Sequence, residues 1–149
     1  MNLKMDDNIP VTILVVDDDD VDAKGIERAF RKAKIANPIE RADSGVEALE
    51  ILRGEHPDIT LRTPYLLLVD LNMPRMSGLE LIKEMREDSK LRSTIAFVLT
   101  TSKAEEDKEA AYGLNIAGYI VKEKVGQDFV KLVNMVEHYW KVIEFPVGE

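Results

Sequence analysis

The chain has 149 residues, with 28 Asp and Glu against 20 Lys and Arg, a net charge of −8, and no Cys. That is the size of one ordinary domain, long enough to bury roughly 68–70% of its unfolded surface. The acidity argues against non-specific binding to nucleic acid or anionic membrane, which needs basic surface. The lack of Cys excludes disulfides, thiolate nucleophiles and Cys-based metal sites. Hydrophobic residues at 45% and charged residues at 32% describe a globular chain. The first apolar run, Ile9 to Val16, is interrupted by Pro10 and ends in acids, so it is not a secretory signal. No stretch approaches the ~20 apolar residues that span a bilayer, and the expected location is the cytoplasm.

Val11–Val16 is a short, unbroken apolar run, as expected of a strand buried on both faces. Ile26, Ala29, Phe30 and Ala33 then follow helical spacing. A weaker strand is expected at Ile39–Ala42. Ser44-Gly-Val-Glu47 has the S-x-x-E pattern of a capping box and opens the next helix. Arg53–Pro64, with Gly54, Pro57 and Pro64, reads as a loop. Tyr65–Val69 is the third strand, and Ser77-Gly-Leu-Glu80 opens the helix after it. Ile95–Leu99 is the fourth strand, followed by a third capping pattern at Ser102-Lys-Ala-Glu105. Gly118–Val121 is the fifth strand. A last helix is expected from about Gln127 to Ile143, with Phe129, Leu132, Val133, Val136 and Trp140 on one face. The alternation predicts an α/β fold: a doubly wound five-stranded parallel sheet, (βα)5, flavodoxin-like, with right-handed crossovers. Nothing marks a second domain, so residues 1–149 are read as one unit with a core of about 11–143.

In such a sheet, ligands bind beyond the carboxyl ends of the strands. Asp17-Asp18-Asp19-Asp20 follows the first strand, with Asp22 close behind. Asp70 follows the third, Thr100-Thr101-Ser102 the fourth and Lys122 the fifth. Carboxylates gathered there repel one another, and a hard cation is the economical compensation. Oxygen ligands without Cys or a His cluster favour Mg²⁺, with Mn²⁺ as the alternative, over zinc. Lys122 then offers a point charge, and Thr100 a hydroxyl, to a phosphate. The set reads as a metal-assisted phosphoryl-transfer site.

Four segments carry a family resemblance: Ile13-Leu-Val-Val-Asp17-Asp18, Leu67-Leu-Val-Asp70-Leu-Asn72-Met-Pro74-Arg-Met-Ser-Gly78, Val98-Leu-Thr100 and Gly118-Tyr119-Ile-Val-Lys122. In this order and spacing the chain resembles the receiver domain of two-component response regulators, over roughly Val11 to Ile143. The resemblance implies that Asp70 accepts a phosphoryl group from a sensor histidine kinase. It implies that Asp17, Asp18, Asp70 and the backbone carbonyl of Asn72 hold Mg²⁺, and that Lys122 binds the phosphate. Thr100 would move onto the phosphoryl group, and Tyr119 would turn inward behind it, remodelling the surface seen by a downstream protein. The protein would then be a phosphoacceptor that catalyses its own loading and hydrolysis rather than a conventional enzyme. The short tail, the long loop before the third strand and His138-Tyr-Trp140…Phe145-Pro146 resemble stand-alone regulators paired with phytochrome-type kinases.

Two positions depart from the family pattern. Glu123 stands where proline commonly follows the lysine, so a trans peptide is expected there. Thr101 stands where a small residue such as Ala is common. Asp19, Asp20 and Asp22 read as surface or capping residues, and His56 and His138 as surface residues. Met135, Tyr139 and Val142 widen the apolar arc of the last helix, either to pack under the tail against Phe145 or to form a homodimer or partner surface. Two rival readings remain. One is a haloacid-dehalogenase-type phosphatase with Asp17 as nucleophile, which leaves Asp70-Leu-Asn-Met-Pro74 unexplained. The other is a docking module that takes no phosphoryl group. An EF-hand fails because Ala23 and Ala29 stand where Gly and Glu are required.

Overall fold

Four strands form at the apolar runs and a fifth at Ile39–Ala42, and they pair in parallel in the order β2-β1-β3-β4-β5. The structure is a computed structural model and describes residues 10–124 and 129–146. In chain order the elements are β1 (Thr12–Val16), α1 (Asp20–Lys32), β2 (Ile39–Ala42), α2 (Gly45–Leu52), β3 (Tyr65–Val69), α3 (Gly78–Glu87), β4 (Ile95–Thr100), α4 (Glu105–Gly113), β5 (Gly118–Val121) and α5 (Val130–Val142). The expected fold class holds. The last helix starts later than the sequence pattern suggests, at Val130, while Gln127 lies outside the described residues.

Alternate residues of the central strands face two apolar layers, as period-2 geometry requires. Ile13, Val15, Leu66, Leu68, Phe97 and Leu99 meet Ile26 and Phe30 of α1 and Leu132, Val133 and Val136 of α5. Leu14, Val16, Leu67, Val69, Ala96 and Val98 meet Leu49 of α2, Leu81, Ile82 and Met85 of α3 and Ala111 of α4. Burial on both faces fixes the register, because a one-residue slip would exchange the two layers. Val16 pairs with Val69, so β1 and β3 end side by side although α1, β2 and α2 lie between them in sequence.

The helix starts differ from one another. Ser77 and Glu80 form a complete reciprocal capping box. Ser44 caps α2 through the Glu47 amide, but the Glu47 carboxylate turns instead to the Asp43 amide and to His56. The third expected box is absent. Ser102 Oγ donates to Asp107 Oδ2 at 2.6 Å, and α4 begins at Glu105 behind Ala104, which makes no side-chain cap. His56 is also not a free surface residue. Its Nδ1 accepts the Asp58 and Ile59 amides and its Nε2 meets Glu47 at 3.0 Å, so the ring organises the loop from within.

On α5, Met135 and Tyr139 pack against the α1/α5 layer together with Phe145. Tyr139 meets Phe97 edge to face, with ring centroids 4.9 Å apart. Of the three flanking residues, Val142 stays in solvent at 80% exposure. No helix among the described residues is long and apolar enough to cross a membrane.

Candidate functional site

The ends of β1, β3, β4 and β5 gather Asp17, Asp70, Thr100 and Lys122 at the point where the chain switches direction across the sheet. Ligands of doubly wound folds bind at such switch points. Asp70 is placed by its own amide, which donates to the Val16 carbonyl at 2.9 Å, continuing the β1–β3 ladder by one residue. Gly78 packs against the back of this turn. A Cβ there would collide with the Asp70 carbonyl oxygen and stand 2.9 Å from Leu71 Cα, so only glycine allows this closeness. Asp17 is held by two contacts: its Oδ1 accepts the Asp19 amide at 2.9 Å and its Oδ2 meets Lys122 Nζ at 3.0 Å.

Asp17, Asp70 and Thr100 are buried, while Asp18 is exposed at the rim. One carboxylate oxygen from each of Asp17, Asp18 and Asp70 lies within 4.8 Å of the others. Three carboxylates without His or Cys suit a hard divalent cation, and the described residues therefore fit the metal site that the sequence implies. Asn72 stands on the turn after Asp70, and its amide approaches Asp70 Oδ1 at 3.4 Å. Lys122 Nζ is 3.8 Å from Asp70 Oδ2. Thr100 Oγ1 accepts the Ser102 amide at 3.2 Å. Tyr119 is half-buried, and its hydroxyl donates to the Ser102 carbonyl at 3.0 Å, tying β5 to the loop that follows Thr100.

Electrostatics follow from this crowding. Burial raises the Asp70 pKa, the Lys122 charge opposes the rise and the Asp17 charge adds to it, leaving it at about 6. Burial also raises Asp17, against the Asp19 amide and Lys122, which lower it. For Lys122, burial acts to lower the pKa. The hydrogen bonds to Asp22 and Asp17 and the charges of Asp17 and Asp70 outweigh it, so the ammonium is held above the ordinary lysine value. The lysine therefore stays charged across the physiological range.

Two residues of the site escaped the sequence reading. Asp22, taken as a surface or capping acid, meets Lys122 Nζ at 2.6 Å. A signal existed: Asp22 lies one turn before Ile26 on the same helical stripe as Ala29 and Phe30, so it faces the sheet. Arg41, at the end of β2, donates through Nε and Nη2 to the Asp17 carbonyl at 3.1 and 2.8 Å, and pairs with Asp20 at 2.6 Å. Asp19 does act as a cap, accepting the Val21 and Asp22 amides. At the position where the family commonly has proline, Glu123 lies in a short 3-10 turn. Among the described residues the cis peptide is Thr63–Pro64, so Lys122–Glu123 is trans as expected. Glu123 reaches across to Lys103 at 2.6 Å.

A five-stranded doubly wound sheet with an acidic cluster and a lysine at its switch point defines a signalling domain of the phosphoryl-receiver class. The chain belongs to the response regulator receiver domain family, whose model matches residues 13–134, and it is a receiver of a two-component system. It is 29% identical over 133 residues to response regulator Rcp1 of Synechocystis, covering 89% of this chain and 90% of that one. It is 31% identical over 131 residues to the probable methanogenesis regulatory protein FilR2 of Methanothrix harundinacea, covering 88% and 84%. Among solved structures, the Mn²⁺-bound form of Rcp1 superposes with a TM-score of 0.80 at 28% identity, covering 93% of this chain and all of the other. The phosphorylated cyanobacterial phytochrome response regulator RcpA gives a TM-score of 0.80 at 27% identity, covering 93% and 99%. The family match, which accounts for the segment around Asp70, displaces the phosphatase reading.

Proposed function

We propose that Asp70 accepts a phosphoryl group from the phosphohistidine of a sensor kinase, and that the protein acts as a switch through protein contacts. The observation that carries this is the placement of Asp70 within 3.8 Å of Lys122 and within one cation's reach of Asp17 and Asp18. In the transfer, an Asp70 carboxylate oxygen attacks phosphorus, the P–N bond breaks, and the imidazole leaves with the electron pair. Hydrolysis unloads the residue: water attacks phosphorus, the Asp70 carboxylate leaves and inorganic phosphate is released. Asp70 must be ionised to attack, and Lys122 favours that state.

Asp17, Asp18, Asp70 and the Asn72 carbonyl would hold Mg²⁺, which neutralises phosphoryl oxygens when bound. The Mn²⁺ named for the Rcp1 structure supports a divalent ion of this kind. Lys122 binds one phosphoryl oxygen and Thr100 moves to another. Because Thr100 Oγ1 holds the Ser102 amide and Ser102 holds the Tyr119 hydroxyl, movement of Thr100 is passed to Tyr119. Added charge thus biases an element with two packings. The similarity to a phytochrome response regulator supports a phytochrome-type kinase as donor. The chain acts as one receiver domain with its core at about 11–143.

Incubation with Mg²⁺ and a small phosphodonor, followed by borohydride trapping and peptide mapping, tests this. Label is expected at Asp70, and Asp70→Asn abolishes it. Lys122→Ala leaves reduced labelling and removes the conformational response. An unlabelled protein, with small donor and with cognate kinase, makes it a docking module instead. Val142 stays exposed on the last helix beside the partly buried Met135 and Tyr139, and sedimentation with and without a phosphoryl mimic tests whether this face makes a homodimer.

A further inference from the structure

Lys122 Nζ stands among three carboxylates, and the one assigned to phosphoryl chemistry is the farthest. Asp22 Oδ2 is at 2.6 Å, Asp17 Oδ2 at 3.0 Å and Asp70 Oδ2 at 3.8 Å. The two near partners differ. Asp17 is 3% exposed at its side chain and is fixed from behind by the Asp19 amide. Asp22 is 29% exposed, and water can replace the lysine when it leaves. The other acids at the start of α1 have separate partners: Asp19 caps the helix and Asp20 pairs with Arg41. Asp22 projects from the inward stripe of α1 directly onto the lysine.

We propose that Asp22 is a positioning residue that parks Lys122 while Asp70 is unloaded and yields it to a phosphoryl oxygen when Asp70 is loaded. This rests on the reading of Asp70 as phosphoryl acceptor. Loading converts a carboxylate with one negative charge into an acyl phosphate with two, on the same side of the ammonium. The lysine then gains more from the phosphoryl oxygens than from Asp22, and the Asp22 contact is the one free to break. Asp22 thereby sets how strongly the loaded state is favoured, since every loading event must first compete for the lysine.

The test uses the full chain, Mg²⁺ and beryllofluoride as a phosphoryl analogue, titrated by calorimetry. Salt at 0.5 M KCl screens repulsion between exposed charges and acts much less on the partly buried Asp22–Lys122 pair. Asp22→Asn is expected to tighten the analogue about five- to tenfold, at most about 1.4 kcal/mol. Asp22→Glu, which keeps the charge, restores wild-type affinity. On a Lys122→Met background, Asp22→Asn changes affinity by less than about twofold, because the competition it relieves is gone. Unchanged or weaker binding by Asp22→Asn overturns the proposal, as does an equal gain on both backgrounds. If Asp22→Asn fails to fold, Asp22→Ser carries the same expectation and the same refutation. Should the wild type bind no analogue and take no label at Asp70, the acceptor reading itself falls and takes this one with it. Wild-type binding with an indifferent Asp22→Asn removes the parking role alone.

Discussion

The two ends of the sheet handle buried charge in opposite ways. At the amino ends of β4 and β5, Arg86 from α3 is half-buried and donates to four backbone carbonyls: Leu114, Arg92, Thr94 and Asn115, at 2.7, 2.9, 2.8 and 3.1 Å. Neutral acceptors share one cation, no charge is left competing, and the arrangement has a single solution. At the carboxyl ends, Asp17, Asp22 and Asp70 share Lys122, so negative charge is in excess and the lysine has alternatives. The first end is a staple that locks two loops to a helix. The second leaves negative charge uncompensated, which a further cation would offset.

If the ends are separable, damage to the staple should cost stability and spare the chemistry. Arg86→Leu leaves four carbonyls without their donor and is expected to lose about 3 kcal/mol in urea unfolding. Labelling of Asp70 per folded molecule should stay at the wild-type level; a fall in the folded fraction's labelling would show that the ends are coupled. Gly78→Ala attacks the other end through packing. Its Cβ must push aside the Asp70 backbone, for about 2–3 kcal/mol of stability, and here labelling should fall as well.

Asp70→Asn sharpens the comparison because it should stabilise the protein. The folded pKa of about 6 lies above the ordinary value of 3.8, so the native state binds the proton more tightly than the unfolded chain. Asp70's effect is absent below about pH 4. It becomes a growing penalty as pH rises towards 6, and is complete above that, at about 2–3 kcal/mol by linkage. In divalent-free buffer, Asp70→Asn should therefore match the wild type near pH 4 and exceed it by up to that amount at pH 8. Mg²⁺ should shrink or reverse the difference by stabilising the wild type alone. A variant no more stable at pH 8 would mean that the carboxylate is well compensated. In the labelling assay Mg²⁺ favours the carboxylate, so labelling should fall off on acidification only below about pH 6.

The sequence carried most of the architecture because buried parallel strands leave unbroken apolar runs bounded by turns. Tyr65–Val69 and Gly118–Val121 form with the expected limits. The acids and the lysine were legible for a related reason: strand ends fix their height on the sheet. Partnerships across space were not. Arg86 bonds to carbonyls, which any residue supplies, so no side-chain pattern announces it. Ser102 has a capping signature, but the nearby Asp107 competes for its hydroxyl. Asp22 was hidden among neighbouring acids although its helical phase, shared with Ile26, pointed inward.

The smallest effect concerns the bridge over the functional end, where Glu123 replaces the family's usual proline. Lys103 and Glu123 join the loops after β4 and β5 at 2.6 Å, yet their side chains are 62% and 64% exposed. An exposed pair of this kind contributes about 0.5 kcal/mol or less and weakens with salt. Lys103→Ala should therefore leave the unfolding midpoint within error. Its effect should appear in kinetics, because the two bridged loops carry Ser102, which holds Tyr119, and Lys122. Freed from the bridge, they open more readily to water, and the acyl phosphate on Asp70 should hydrolyse about twofold faster at low salt. The difference should vanish in 0.5 M KCl. An unchanged lifetime at low salt would confine the bridge to the surface and leave access to Asp70 to Thr101 and the acids around it.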